Sequence, residues 1–198
     1  MKNTITIAII ILFTSCTYNK PETTVTDIDG HVYPTITIGN KVWMAANLRV
    51  TRFRNGNAIP VVIDSTFWSK YPGCCYYNNN TANFDTYGLL YNWYAVNDSR
   101  NIAPEGWHIP TDEEISALTQ ELEKDPALTN ILKLNGLGGY RFYTGESYHT
   151  RGFNGYWWGV NRSFEIYDFS PRLFSALADV QRNKYEAGYG LAIRCVKD

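Results

Sequence analysis

Val25-Thr26-Asp27-Ile28-Asp29-Gly30-His31-Val32-Tyr33, followed by Thr35-Ile36-Thr37-Ile38-Gly39-Asn40-Lys41-Val42-Trp43-Met44, reads as two β-hairpins in succession. Each joins strand-like runs rich in Val, Ile, Thr and aromatic residues through a turn pair, Asp29-Gly30 in the first and Gly39-Asn40 in the second. The N-terminal third of the chain is therefore β. The Asp27-x-Asp29-Gly30 spacing has the beginning of a calcium loop, but the other ligands and the closing glutamate are missing, so the turn is the reading adopted.

Beyond these hairpins the pattern changes. From Phe53 to Thr86 the chain is polar and turn-rich, with Asn78-Asn79-Asn80 favouring left-handed or turn backbone. Tyr87, Leu90, Tyr91 and Tyr94 then recur at helical spacing, which predicts a helix from Tyr87 to Val96 capped by Asp85 or Thr86. A second helix is predicted after Pro110. Thr111 and Glu114 form a capping box, Asp112, Glu113 and Glu114 sit where the helix dipole favours anions, Ile115, Leu118 and Leu122 line one face, and Asp125-Pro126 stops it. Capping accounts for the acidic trio without any catalytic or metal-binding role. After Leu134 the chain alternates glycines with Tyr140-Arg141-Phe142-Tyr143 and Tyr156-Trp157-Trp158, and it closes on a strand through Leu191-Ala192-Ile193-Arg194-Cys195-Val196. The order of hairpins, two helices and then strands is that of an α+β domain.

The first residues read separately. Lys2 precedes an apolar run from Ile5 to Phe13, far short of the roughly 20 residues a spanning helix needs, and this is the pattern of a signal peptide. Ser15-Cys16 resembles a relaxed lipobox, with Cys16 acylated and so holding the protein to a membrane. The chain thus divides into a signal peptide (1–15), a lipidated tether (16–24) and one domain (25–198). The expected place is the cell envelope, lipid-anchored and on the outer membrane, with its periplasmic or surface face left open.

Hydrophobic residues make up 44% of the chain, aromatic residues 15% and charged residues 19%, and the formal net charge is -1. Nothing in that balance recommends nucleic acid or an anionic surface as a partner. With 15 Tyr and 6 Trp, the rings can build a core, line a recognition surface, or both. Of the 4 cysteines, Cys16 is the lipidation candidate. Cys74, Cys75 and Cys195 are the disulfide candidates, and a bridge from Cys195 to one of the adjacent pair is the expected pairing, since neighbouring cysteines bridge each other only under strain.

Val42-Trp43-Met44-Ala45-Ala46-Asn47-Leu48, Tyr87-Gly88-Leu89-Leu90-Tyr91-Asn92-Trp93-Tyr94-Ala95-Val96, Gly106-Trp107-His108-Ile109-Pro110-Thr111, Gly155-Tyr156-Trp157-Trp158 and Arg194-Cys195-Val196-Lys197-Asp198 together resemble the ordered motifs of the Fibrobacter succinogenes major paralogous domain family, common in Bacteroidetes lipoproteins. The resemblance runs from Val25 to Asp198. It implies a C-type-lectin-like fold, similar to that of formylglycine-generating enzymes, with two helices, short antiparallel strands, long loops and a recognition face. It carries no general activity. Ala103 stands where many members have a cysteine that could pair with the position of Cys195, and Gly159-Val160-Asn161 replaces the usual residues after the Trp pair.

No standard catalytic signature is present. His31 adjoins a turn, His108 reads as a packed, hydrogen-bonded residue, and His149 as the exposed one; no pair has metal-ligand spacing. The paired cysteines of the formylglycine enzymes and the Glu-Pro-Asn of calcium-dependent sugar binding are both missing. What remains is a set with the composition of a recognition surface: Tyr148, His149, Arg151, Trp157, Asn161, Arg162, Tyr167, Arg182 and Tyr185. Adjacent strand residues face opposite ways, so at most one of Trp157 and Trp158 is expected in the core. The expectation is a non-catalytic binding module without cofactor or metal, its ligand a glycan or a protein. The alternatives are a structural or assembly subunit of an envelope complex, and an enzyme.

Overall fold

Both N-terminal hairpins form. β1 (Thr24–Thr26) pairs antiparallel with β2 (Val32–Ile38), and β2 pairs with β3 (Lys41–Met44) across Gly39-Asn40, with Ile38 opposite Lys41. Asp27 closes the first turn: its Oδ1 accepts from the N–H groups of Asp29 and His31, each at 2.9 Å, and its Oδ2 accepts from the Tyr33 hydroxyl. That carboxylate is a turn acceptor, in keeping with the reading from sequence.

The structure is a computed structural model that describes residues 23–128, 132, 138–152, 154–160, 169–174, 180–184 and 186–198; for 154, 169–174 and 180–184 it describes backbone alone. The expected signal peptide and Cys16 lie outside these residues. Among the described residues no helix is long and apolar enough to cross a membrane.

After β3 come α1 (Ser65–Trp68), β4 (Cys74–Cys75), α2 (Phe84–Tyr87), β5 (Leu90–Tyr91), α3 (Trp93–Val96), β6 (Trp107–His108) and α4 (Asp112–Lys124). Then follow β7 (Tyr140–Arg141), β8 (Tyr148–His149), β9 (Asn154–Tyr156), β10 (Phe169–Phe174), β11 (Val180–Lys184) and β12 (Val196–Lys197). The main sheet has the order β1-β2-β3-β12-β6. Its last strand enters between β3 and β6, so Val196 faces Trp43 on one side and His108 on the other. A second sheet runs β11-β10-β9, and β4-β5 and β7-β8 are separate pairs. The architecture is mixed α+β.

The segment leading into β12 threads the middle of the molecule. Gly190 exchanges backbone bonds with Arg141, Leu191 with Tyr91, and the Ala192 N–H reaches the Tyr156 carbonyl; the carbonyls of Ile193 and Cys195 accept from Leu48 and Met44. Every residue from Gly190 to Val196 is buried. This spine divides the core in two. Leu191, Ile193 and Cys195 pack with Leu48, Phe53 and Tyr91, whereas Ala192 and Val196 pack with Ile36, Trp43, Leu118 and Leu122. Extended backbone sends successive side chains to opposite faces, and here both faces are covered.

Double coverage corrects the expectation for the Trp pair. Trp157 and Trp158 do point to different clusters, but they are 4% and 1% exposed, so neither is a surface ring. The predicted helix from Tyr87 to Val96 is also corrected. One turn, α2, ends at Gly88, where a Cβ would lie 2.8 Å from the Leu48 carbonyl oxygen. Leu90 and Tyr91 are drawn into β5 by Cys74 and Cys75, and Asn92 restarts the chain as α3 by capping the Ala95 N–H. Among the described residues only α4 is longer than one turn. It has the predicted capping box and buries Ile115, Leu118 and Leu122. The expected Cys195 bridge is absent: Cys74, Cys75 and Cys195 are free and buried, and burial pushes each thiol above its ordinary range. Cys74 and Cys195 belong to one core cluster and Cys75 to the other.

Candidate functional site

The β7–β8 hairpin is fixed from below by a buried arginine. Arg141 is 0% exposed; it donates to the carbonyls of Val62 (2.5 Å), Ile63 (2.8 Å) and Gly145 (2.7 and 3.0 Å), and its guanidinium lies 4.2 Å from the Trp68 ring centroid. Because Arg141 points inward, its neighbour Tyr140 is placed on the other face, opposite His149 in the register.

There the rings assemble. Tyr140 stacks on His149 (centroids 5.2 Å apart, planes at 27°) and meets Tyr189 at 5.7 Å. Phe142, two residues along, touches Tyr143, Tyr189 and His149 at 4.5, 5.5 and 5.9 Å, and Tyr143 meets Tyr189 at 5.6 Å. Buried Tyr156 supports Tyr140 edge-on at 4.8 Å. His149 is exposed and Tyr140, Phe142, Tyr143 and Tyr189 are half-buried, so the five rings form a patch open on one side. Burial raises the Tyr189 phenol above its ordinary range, and the phenols of Tyr140 and Tyr143 and the Glu186 carboxylate push the same way. The patch is thus an apolar surface with a hydroxyl and carboxylate rim.

The edge of this patch is strained. Thr150, directly after His149, has φ 59°, a left-handed backbone that β-branched residues rarely adopt, and its buried hydroxyl has no hydrogen-bond partner among the described residues. Strained backbone and orphaned polar atoms cluster at binding sites, where the surrounding structure holds them in place.

The residues expected from sequence fare unequally. His149 is part of the patch. Tyr148 and Arg151 belong to a different surface: the Tyr148 hydroxyl donates to Asn79 Oδ1 at 2.7 Å, and Arg151 donates to Asn83 Oδ1 at 2.8 Å with its guanidinium over Tyr77. Trp157 is buried and donates from Nε1 to Asn47 Oδ1. Arg182 lies on β11, described by its backbone alone, and Asn161, Arg162, Tyr167 and Tyr185 lie outside the described residues. Tyr140, Phe142, Tyr143, Tyr189 and Glu186 were not foreseen. The i, i+2 placement of Tyr140 and Phe142 was the available signal.

His108, expected to be packed and hydrogen-bonded, is held between two carboxylates, with Nε2 2.9 Å from Glu114 Oε2 and Nδ1 2.5 Å from Asp198 Oδ1. Glu114, besides capping α4, receives Lys41 Nζ at 2.8 Å. Burial raises its pKa, but bonds from Lys41, the Thr111 N–H and His108 outweigh it and hold the carboxyl below its usual range. A carboxyl depressed in the fold stabilises it above the unfolded value of about 4.3, and that contribution is lost as pH falls through the lower folded value. The urea midpoint should therefore be level from neutral pH down to about 5 and decline below about 4. Glu114→Gln should start lower and decline less; an equal decline would remove Glu114 from the acid response.

The Fibrobacter succinogenes major domain family model matches residues 36–136. No curated protein and no solved structure matches the chain. The matched stretch includes β3, β6 and α4, whereas the aromatic patch lies beyond it.

Proposed function

The chain belongs to the Fibrobacter succinogenes major domain family, and from that premise we propose that it is a non-catalytic binding module whose ligand is a glycan held on the aromatic patch. The observation that carries this is the five-ring cluster of Tyr140, Phe142, Tyr143, His149 and Tyr189, half-open to solvent and rimmed by phenols and Glu186. Ring faces pack against the C–H faces of sugars, and phenol and carboxylate oxygens bond to sugar hydroxyls. The strained Thr150 beside the rings supports the same assignment. In this reading the fold is C-type-lectin-like, and a lipid on Cys16 holds the domain at the cell envelope, on the outer membrane.

A glycan array probed with the purified protein, followed by titration of the best hit, tests the proposal. Tyr189→Ala and Tyr143→Ala each remove a ring from the open side and should weaken binding about tenfold while leaving a cooperative thermal transition. Unchanged affinity in both variants would move the site elsewhere. Failure to bind any glycan would overturn the ligand class and point to a protein partner.

A further inference from the structure

Away from the patch, a cleft of about 670 Å³ opens between the residues after α3 and the start of α4, a volume typical of small-ligand sites, which run from roughly 300 to 1,000 Å³. We propose that it is a second binding site, for a small polar molecule carrying a primary ammonium group. Val96 and Ile109 give it an apolar floor, and Asn97 and Asn101 bring side-chain amides to its wall.

The charge pattern selects the ligand. Both basic side chains of the described lining are already engaged, Lys41 by Glu114 at 2.8 Å and His108 by Glu114 and Asp198 at 2.9 and 2.5 Å. Asp98 is likewise taken, by the Arg100 guanidinium at 2.8 and 2.7 Å. Asp198 differs. Its side chain is 60% exposed, Oδ1 meets His108, and Oδ2 takes no bond among the described residues. Among the described lining residues an incoming anion would find no uncommitted basic group and three carboxylates; an ammonium would find a carboxylate oxygen ready to accept, with the amides able to bond its polar neighbours. The site is independent of the glycan patch: Lys41 and Glu114 lie on β3 and α4, the patch on β7, β8 and the turn at Tyr189.

Amide NMR titrations of the purified protein with glucosamine, N-acetylglucosamine and glucose are the test, since the three probes share a ring and only the first carries the cation. Glucosamine should shift the amides of Asn97, Asn101 and His108 saturably, with an affinity about tenfold above that of N-acetylglucosamine, and added sodium chloride should narrow the gap. Asp198→Asn keeps an acceptor for His108 and removes the charge, so it should abolish the preference without unfolding the protein. Equal affinities for the charged and neutral sugars, shifts confined to the aromatic patch, or a preference that survives Asp198→Asn would each overturn the proposal.

Discussion

Replacing Asn47 with alanine is expected to destabilise the fold by about 3 kcal/mol or more, a large share of the roughly 5–15 kcal/mol that holds a domain together. Asn47 is buried, and its side-chain amide makes three of the four hydrogen bonds open to it. Oδ1 accepts from Trp157 Nε1 and from Arg194 Nε, both at 2.8 Å, and Nδ2 donates to the Tyr87 carbonyl at 2.8 Å. One side chain therefore ties the segment after β3 to α2, to the residue after β9 and to the spine. Alanine takes the shared acceptor from an indole and a guanidinium at once, and each buried polar group losing its bond costs about 1–3 kcal/mol. The guanidinium is the costlier loss, because Arg194 is buried and burial has pushed its pKa down to about 9. Urea unfolding should show a much lower midpoint at unchanged slope. A loss below about 1 kcal/mol would mean that the three bonds are replaced on mutation and that Asn47 is no hub.

Gly139→Ala should be nearly as damaging and should also remove glycan binding. At Gly139, φ is +63° and a Cβ would stand 2.1 Å from the His149 carbonyl oxygen and 2.8 Å from the Arg151 nitrogen. These are backbone atoms, so no rotamer change relieves the clash and β8 itself must move. Left-handed strain and overpacking together amount to about 2–4 kcal/mol. Because β8 carries His149, the stacked pair with Tyr140 opens as the strand shifts. Near-ultraviolet circular dichroism should lose much of its tyrosine signal before the far-ultraviolet spectrum changes. A variant with the native aromatic spectrum and full glycan affinity would show that the hairpin tolerates the displacement, and that the patch does not depend on this close approach.

The features legible in the sequence are those whose causes are local. The Gly39-Asn40 turn sits between two alternating runs, and Thr111 with Glu114 caps α4 whatever surrounds it, so both are found where their residues predict them. The segment from Tyr87 to Val96 misleads because its apolar spacing fits a helix while its backbone is claimed from afar: Tyr91 pairs with Cys74 in β5 and with Leu191 in the spine. Tertiary pairing outweighs a few tenths of a kcal/mol of helix preference per residue. Trp157 and Trp158 show a related limit. Alternation assigns them to opposite faces, but whether a face meets solvent is decided by which distant elements cover it, here α4 for one and the β5 side of the core for the other. The patch was half visible for the same reason. His149 and the Tyr140-x-Phe142 pair come from one hairpin, whereas Tyr189 is delivered by the spine some forty residues later, and nothing in the sequence near Tyr189 states that it will meet them.

The position of that spine has a consequence for how the protein is made. Synthesis proceeds from the N-terminus, and domains tend to fold as their segments emerge, yet here β3, β5, β7 and the residues after β9 all make backbone bonds to the stretch from Gly190 to Cys195. Until that stretch has left the ribosome, β3, β5 and β7 have only their hairpin or local partners β2, β4 and β8, and neither half of the core can close. The topology thus delays closure of the core, though not of the local hairpins. On the proposed route through a membrane, where a translocon accepts only an extended polypeptide, this delay would keep the chain threadable until the stretch from Gly190 to Cys195 arrives and the domain can assemble on the far side.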